Sequence, residues 1–174
     1  MRCLLDKVTA RYIVRGLLKL GLSQPPTAEE ILALELFTSS NQRDVKLFIS
    51  LPTANVLQQF AQTARYTNLI QLFLNQVQTA RPIRYYKRWA RRLRQFGFTR
   101  EDAAILALGT FCRDAKDGIF GMDYIATFDQ PMINHWITRQ TLIRAKLLAM
   151  QADIPAPYNQ ALMPQVLRPQ EIIL

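Results

Sequence analysis

Apolar residues arrive along this chain in two rhythms, short unbroken runs and longer stretches at helical spacing, and the two alternate. Met1 to Asp6 is a brief apolar run ending in a carboxylate, which predicts a buried strand. Val8, Tyr12, Leu17, Leu18 and Leu20 recur at near-helical spacing and predict a helix over Val8 to Leu20, stopping before Gly21. Pro25-Pro26-Thr27 opens a second helix, with Thr27 and Glu30 as a capping box and Ile31, Leu34, Glu35 and Phe37 continuing the pattern. Lys46 to Ser50 reads as a strand that stops at Pro52, and Thr53 to Thr63 and Thr67 to Val77 as two consecutive helices. Pro82-Ile83 is a candidate third strand.

A helix from about Tyr85 to Phe96 ends at Gly97, and Thr99 with Asp102 marks another capping box, opening an apolar helix through Ala103, Ile105, Leu106 and Leu108. Asp123 to Phe128 predicts a strand, and Asp129-Gln130-Pro131 starts a long helix to about Met150. After a loop marked by Pro155 and Pro157, Glu171 to Leu174 is a last candidate strand within Val166 to Leu174. Short strands alternating with helices predict an α/β fold whose parallel sheet is covered on both faces. No repeat or long linker divides the chain, so residues 1–174 are expected to form one domain.

Composition sharpens this picture. The chain has 174 residues, 49% of them hydrophobic, which suits one sizeable core. Its two cysteines, Cys3 and Cys112, have neither metal-ligand spacing nor the look of a secreted disulfide framework. No apolar run approaches the roughly 20 residues of a membrane span, and Asp6 and Lys7 interrupt the N-terminal stretch too early for a secretory signal. The expectation is a soluble cytoplasmic protein with no membrane association.

The formal net charge is +9, and it is unevenly placed. From Val45 to Arg100 there is no Asp or Glu, while Lys46, Arg65, Arg81, Arg84, Lys87, Arg88, Arg91, Arg92, Arg94 and Arg100 all fall there. Such a field attracts polyanions, nucleic acid first. On the helix through residues 84 to 96, Tyr86, Ala90, Leu93 and Gly97 form a stripe expected to face the core, leaving Arg84, Lys87, Arg88, Arg91 and Arg94 to meet phosphates. Tyr85 or Trp89, where exposed, would stack on unpaired bases.

Three aspartates stand where helices begin. Asp6 ends the first strand, Asp129 follows the DYIATF strand, and Asp102 lies in the first turn of its helix. In a parallel sheet the ligand crevice lies at the carboxyl ends of the strands, so these acids could share it and bind Mg²⁺ or Mn²⁺, hard cations that take oxygen ligands. Each is equally well placed to cap a helix, worth about 1 kcal/mol, and spacing alone does not choose. His135, the single histidine, reads as structural or exposed, and no Gly-x-Ser-x-Gly or Gly-rich phosphate loop supports a serine hydrolase or a nucleotide-binding enzyme.

Gly97-Phe98-Thr99-Arg100-Glu101-Asp102, followed by the alanine-rich Ala103 to Leu108, resembles the PIN-domain pattern of a glycine, a short turn and an Asp leading a helix. Ala126-Thr127-Phe128-Asp129 resembles the family's strand ending in Thr-x-Asp. Cys3-Leu4-Leu5-Asp6 is similar to its first strand and first acid, Lys46 to Ser50 to its second strand, and Val166 to Leu174 to its C-terminal ending. The resemblance implies a three-layer α/β/α sandwich with a central parallel sheet of four or five short strands. It implies a Mg²⁺- or Mn²⁺-dependent endoribonuclease with Asp6, Asp102 and Asp129 as metal ligands, directly or through water, and the Thr127 hydroxyl supporting them. It also implies RNA as substrate, an acidic partner of the antitoxin kind, and a homodimer, since PIN-like proteins often pair.

Two departures bear on this. The family's acid on the helix after the second strand falls here at Val56, with Asn55 beside it, and Lys7 and Val8 follow Asp6 where a small polar residue and Asn are usual. Glu101 and Asp123 are the nearby acids able to substitute. The alternative expectation is a catalytically degenerate module on the same fold that binds RNA or a protein partner.

Overall fold

The first apolar run forms β1 (Arg2–Leu5), and α1 (Lys7–Gly21) follows with Asp6 alone between them. The remaining elements are α2 (Ala28–Ser40), β2 (Lys46–Ser50), α3 (Leu51–Thr63), α4 (Thr67–Gln76), β3 (Gln78–Pro82), α5 (Tyr86–Gln95), α6 (Arg100–Thr110), β4 (Cys112–Asp114), β5 (Gly118–Phe120), β6 (Tyr124–Ala126), α7 (Gln130–Ala152), β7 (Gln165–Leu167) and α8 (Pro169–Ile172). A 3₁₀ turn, Tyr158–Gln160, precedes β7. The structure is a computed structural model, and it describes residues 1–63, 67–114 and 118–173.

The seven strands form one sheet in the order β5-β4-β3-β2-β1-β6-β7. β1 pairs in parallel with β2 on one side and β6 on the other, and β2–β3 and β6–β7 are also parallel. The sheet is nonetheless mixed. β4 runs antiparallel to β3, with Arg81 opposite Arg113, and β5 runs antiparallel to β4. This hairpin at the sheet edge went unforeseen, because strands of three residues carry too little alternation to register as a pattern; the Asp117-Gly118 dipeptide is the one hairpin signal in the sequence.

Alternation along the parallel strands feeds two cores. Leu4, Phe48, Ala80, Ile125 and Val166 point to one face, where Trp89 and Leu93 of α5, Leu106 of α6 and Trp136 of α7 meet them. Cys3, Leu5, Leu47, Ile49 and Ala126 point to the other, packed by Ile13 of α1, Leu36 of α2, Leu57 of α3 and Phe73 of α4. Helices therefore cover both faces, as the near-continuous apolar composition of β1 and β2 requires. No helix among the described residues is long and apolar enough to cross a membrane.

Two expected elements shift. The third strand covers Gln78–Pro82 rather than Pro82-Ile83: Thr79 and Ala80 supply the ladder and Pro82, lacking an N–H, ends it. The last strand is Gln165–Leu167, and Pro169–Ile172 is a helical turn, because Pro169 is pre-set for a first helical position and the Arg168 N–H is held by the Glu171 carboxylate at 2.7 Å. Leu174, the end of that expected strand, and Arg65 lie outside the described residues.

α1 and α2 meet closely, since a Cβ on Gly16 would lie 2.7 Å from Cδ1 of Leu34. Beside that contact sits Glu30, 1% exposed, which completes the capping box of α2 and takes Lys19 at 2.8 Å and Arg15 at 3.6 Å. Burial alone would push its carboxyl up, but the Lys19 ammonium, the Thr27 N–H and the Arg15 charge hold it below the ordinary value. A depressed pKa contributes stability above the unfolded value, about 4.5, and loses it as pH falls through the folded value. Glu30→Gln is expected to cost about 1–2 kcal/mol at pH 7, discounted for the exposure of both cations, with the deficit shrinking below pH 4.5 in denaturant titrations.

Candidate functional site

The carboxyl ends of β1, β2, β3 and β6 lie side by side, and the polypeptide leaves each of them at a cavity of about 630 Å³. Asp6, Asp102 and Asp129 all line it. The parallel pairing of β1 with β6 brings Asp6 and Asp129 together across 123 positions of sequence. The Thr127 hydroxyl ties them: it donates to Oδ2 of Asp6 at 3.1 Å and accepts the N–H of Asp129 at 3.1 Å. Thr127 is itself fully buried, its N–H bonded to Leu167 of β7.

Both readings of Asp6 and Asp129 are realised at once. Asp6 Oδ1 accepts the N–H of Lys7 at the start of α1, and Asp129 Oδ1 accepts that of Met132 at the start of α7, 2.9 Å away. Asp102 differs. Its N–H donates to Thr99 Oγ1 at 3.1 Å, but among the described residues its carboxylate makes no return bond to Thr99, so the expected box is half formed. Asp102 lines the cavity from the first turn of α6.

Burial pushes the Asp6 carboxyl above its ordinary range, and the nearby Asp129 charge adds to the rise. The Lys7 N–H, the Thr127 hydroxyl and the Lys7 ammonium oppose it without cancelling it. Lys7 also lines the cavity, and its ammonium is ion-paired with Glu101. That pair answers one expectation about substitute acids, because Glu101 is at the site but engaged.

Asp123 is not at the site. It lies before β6, at the amino edge of the sheet, where it holds Arg2 through a 2.7 Å bond to the backbone N–H and a 3.6 Å ion pair. Val56 does not line the cavity either; it is 63% exposed on α3. Among the described residues no three His, Cys, Asp or Glu are grouped tightly enough to hold a metal by themselves.

The remaining wall was not foreseen from sequence. Ser50 and Thr53 bring hydroxyls 2.9 Å apart from the end of β2 and the start of α3. Val8, Leu51, Pro82, Ile105, Leu108 and Met132 make much of the lining apolar. Tyr86 closes the end below β3, half-buried, its phenol pushed up by that burial. The carboxyl-end rule points to Ser50; Tyr86 was expected on the core side of α5, where it partly packs, and its second contact with the cavity has no local signal.

Trp89 and Leu93 are the buried residues of α5, with Tyr86 and Ala90 partly buried against the same core, so the expected stripe holds at Tyr86, Ala90 and Leu93, gains Trp89 and loses the exposed Gly97. Trp89 is fully buried, donating from Nε1 to Thr110 Oγ1 at 3.2 Å, so it is no stacking surface. Tyr85 is half-buried between Phe111 and Tyr158. Gly97 sits in the exposed turn after α5 at φ +92°, a conformation that favours glycine, and the ring of His135 is hydrogen-bonded to Phe96 O at 2.7 Å. His135 is structural.

No protein-family model, curated protein or solved structure matches this chain. Arg84, Lys87, Arg88, Arg91 and Arg94 are exposed, and among the described residues none has an acidic partner. Arg84 lies 5.6 Å from the Tyr85 ring centroid. α5 thus presents a cationic outer face and, through Tyr86, one wall of the acidic cavity.

A raised folded pKa means that Asp6 contributes stability fully below the unfolded value, about 3.8, and loses it as pH rises through the folded value. Asn caps a helix as well as Asp. Asp6→Asn is therefore expected to melt higher than the wild type at pH 7, with the difference closing as pH falls towards 3.8, measured by circular dichroism.

Proposed function

We propose that this chain is a PIN-like RNA phosphodiesterase that uses Mg²⁺ or Mn²⁺, with RNA bound along α5 and cleaved at the acidic cavity. The carrying observation is the convergence of Asp6, Asp102 and Asp129 on one cavity that the basic helix α5 borders through Tyr86. The five parallel strands between two helical layers, β3-β2-β1-β6-β7, support the likeness to that fold.

Two neighbouring carboxylates fit such a cation, which binds through one or two carboxylates and otherwise through water and substrate phosphate. Asp6 and Asp129 would hold it and Asp102 would hold its water shell. When bound, the ion supplies charge for the phosphate and a water of lowered pKa. Thr127 keeps the Asp6 carboxylate in place, and its buried hydroxyl cannot turn away without losing both bonds. Lys87, Arg88, Arg91 and Arg94 neutralise phosphates on either side of the reacting one.

A second reading, a module that binds RNA without cleaving it, is favoured by one observation: without a third grouped acid and with the Lys7 ammonium beside Asp6, an ion has little to hold it before RNA arrives.

Mn²⁺-dependent cleavage of single-stranded RNA is expected in the wild type and lost in Asp129→Asn with the fold intact by circular dichroism. Thr127→Val should lower it about 10- to 100-fold and Thr127→Ser far less, because only the second keeps the hydroxyl. RNA binding without cleavage at millimolar Mn²⁺ would establish the second reading instead. Neutralising Lys87 and Arg91 together should make the salt dependence of RNA affinity shallower by about 1.4 in log–log slope, at about 0.7 per phosphate contact. Lys7→Ala should tighten Mn²⁺ binding in calorimetry, since it removes a competing cation from Asp6.

A further inference from the structure

The cavity is larger than its acids require. At about 630 Å³ it exceeds what a divalent ion with six waters needs, about 200 Å³ at ~30 Å³ per water. Among its lining residues, Pro82, Ile105, Leu108 and Met132 offer an ion or its water nothing. Sites of this size with apolar walls and a few convergent polar groups hold organic groups.

The order of the sheet fixes which group comes there. Neighbouring strands are about 4.8 Å apart, so the end of β3, two strands from β1, stands about 10 Å from Asp6 along the cavity. Tyr86 is at that end, on the first turn of α5, and the next residues of the helix are the exposed Lys87 and Arg88. A polyanion held on the outer face of α5 therefore reaches the cavity past the Tyr86 ring. The only large apolar part of a nucleotide is its base.

We infer that the apolar end of the cavity is a subsite for one unpaired nucleobase, seated between the Tyr86 ring and the side chains of Ile105 and Leu108, next to the phosphate that faces Asp6. This rests on the RNA reading above and adds a specificity-determining residue to it. A base inside a duplex is stacked on both sides and cannot enter, so the subsite demands an unpaired nucleotide at the acidic site. Ser50 and Thr53, whose hydroxyls line the cavity between the ends of β1 and β3, are the polar groups placed to meet the sugar.

The test compares the affinity of the full chain, in Ca²⁺, for a short single-stranded oligoribonucleotide and for the same strand made abasic. Base–aromatic stacking predicts that the wild type binds the intact strand about tenfold or more tightly than the abasic one. Tyr86→Ala should lose most of that difference and Tyr86→Phe keep it. Ile105→Trp, which fills the space, should weaken only the intact strand. Equal, salt-sensitive affinity of the wild type for both strands would overturn the base subsite while leaving RNA binding in place. Failure to bind either strand would overturn the RNA reading as well. The wild-type comparison decides even where a variant does not fold.

Discussion

β1 is the strand on which the rest of the molecule is registered. It is paired in parallel on both sides, its Cys3, Leu4 and Leu5 are fully buried, and its alternate side chains enter opposite cores. A strand so placed has no tolerance for slippage, because a shift of one residue would exchange the two cores and move Asp6 off the carboxyl edge. With Asp6 alone between β1 and α1, the position of that carboxylate is set by the backbone of the sheet rather than by a loop.

The consequence is a carboxyl group kept where burial works against its charge. Asp6 is supported by Thr127 and by the N–H at the head of α1, yet its pKa still rises, and Asp129 beside it adds to the cost. Neutral residues would cap these helices equally well. Under the proposed reading, a cation or a phosphate-bound ion is what would relieve it. Glu30 makes the contrast. It is more deeply buried, but two cations and a completed capping box surround it, and its role ends with joining α1 to α2.

The basic helix shows where periodicity stops being informative. α5 was recognisable from its arginines and its closing Gly97, and the absence of acids from Val45 to Arg100 made an unpaired cationic face predictable. Which aromatic faces inward was not. Trp89 fills the core and donates to a hydroxyl on α6, while Tyr86 packs partly against that core and also lines the cavity. Propensity and periodicity say that a helix has a buried side; the volume of the partner surface says which residues fill it.

The sequence by itself determined the elements with strong local causes: the apolar runs of β1 and β2, the capping box of α2, the aspartates at the starts of α1 and α7, and the charge of α5. It also placed three acids at helix starts, which a parallel sheet turns into one edge. Only the tertiary structure decided that Asp102 lines the cavity while Asp123 belongs to the opposite edge with Arg2, that Lys7 is paired with Glu101, and that hydroxyls and apolar side chains complete the wall. The hairpin of β4 and β5 and the short final helix were likewise decided by pairing and packing. The division follows the range of the forces: caps, turns and periodicity act over a few residues and are legible in the sequence, whereas burial, ion pairing and cavity shape arise between residues that only folding brings together.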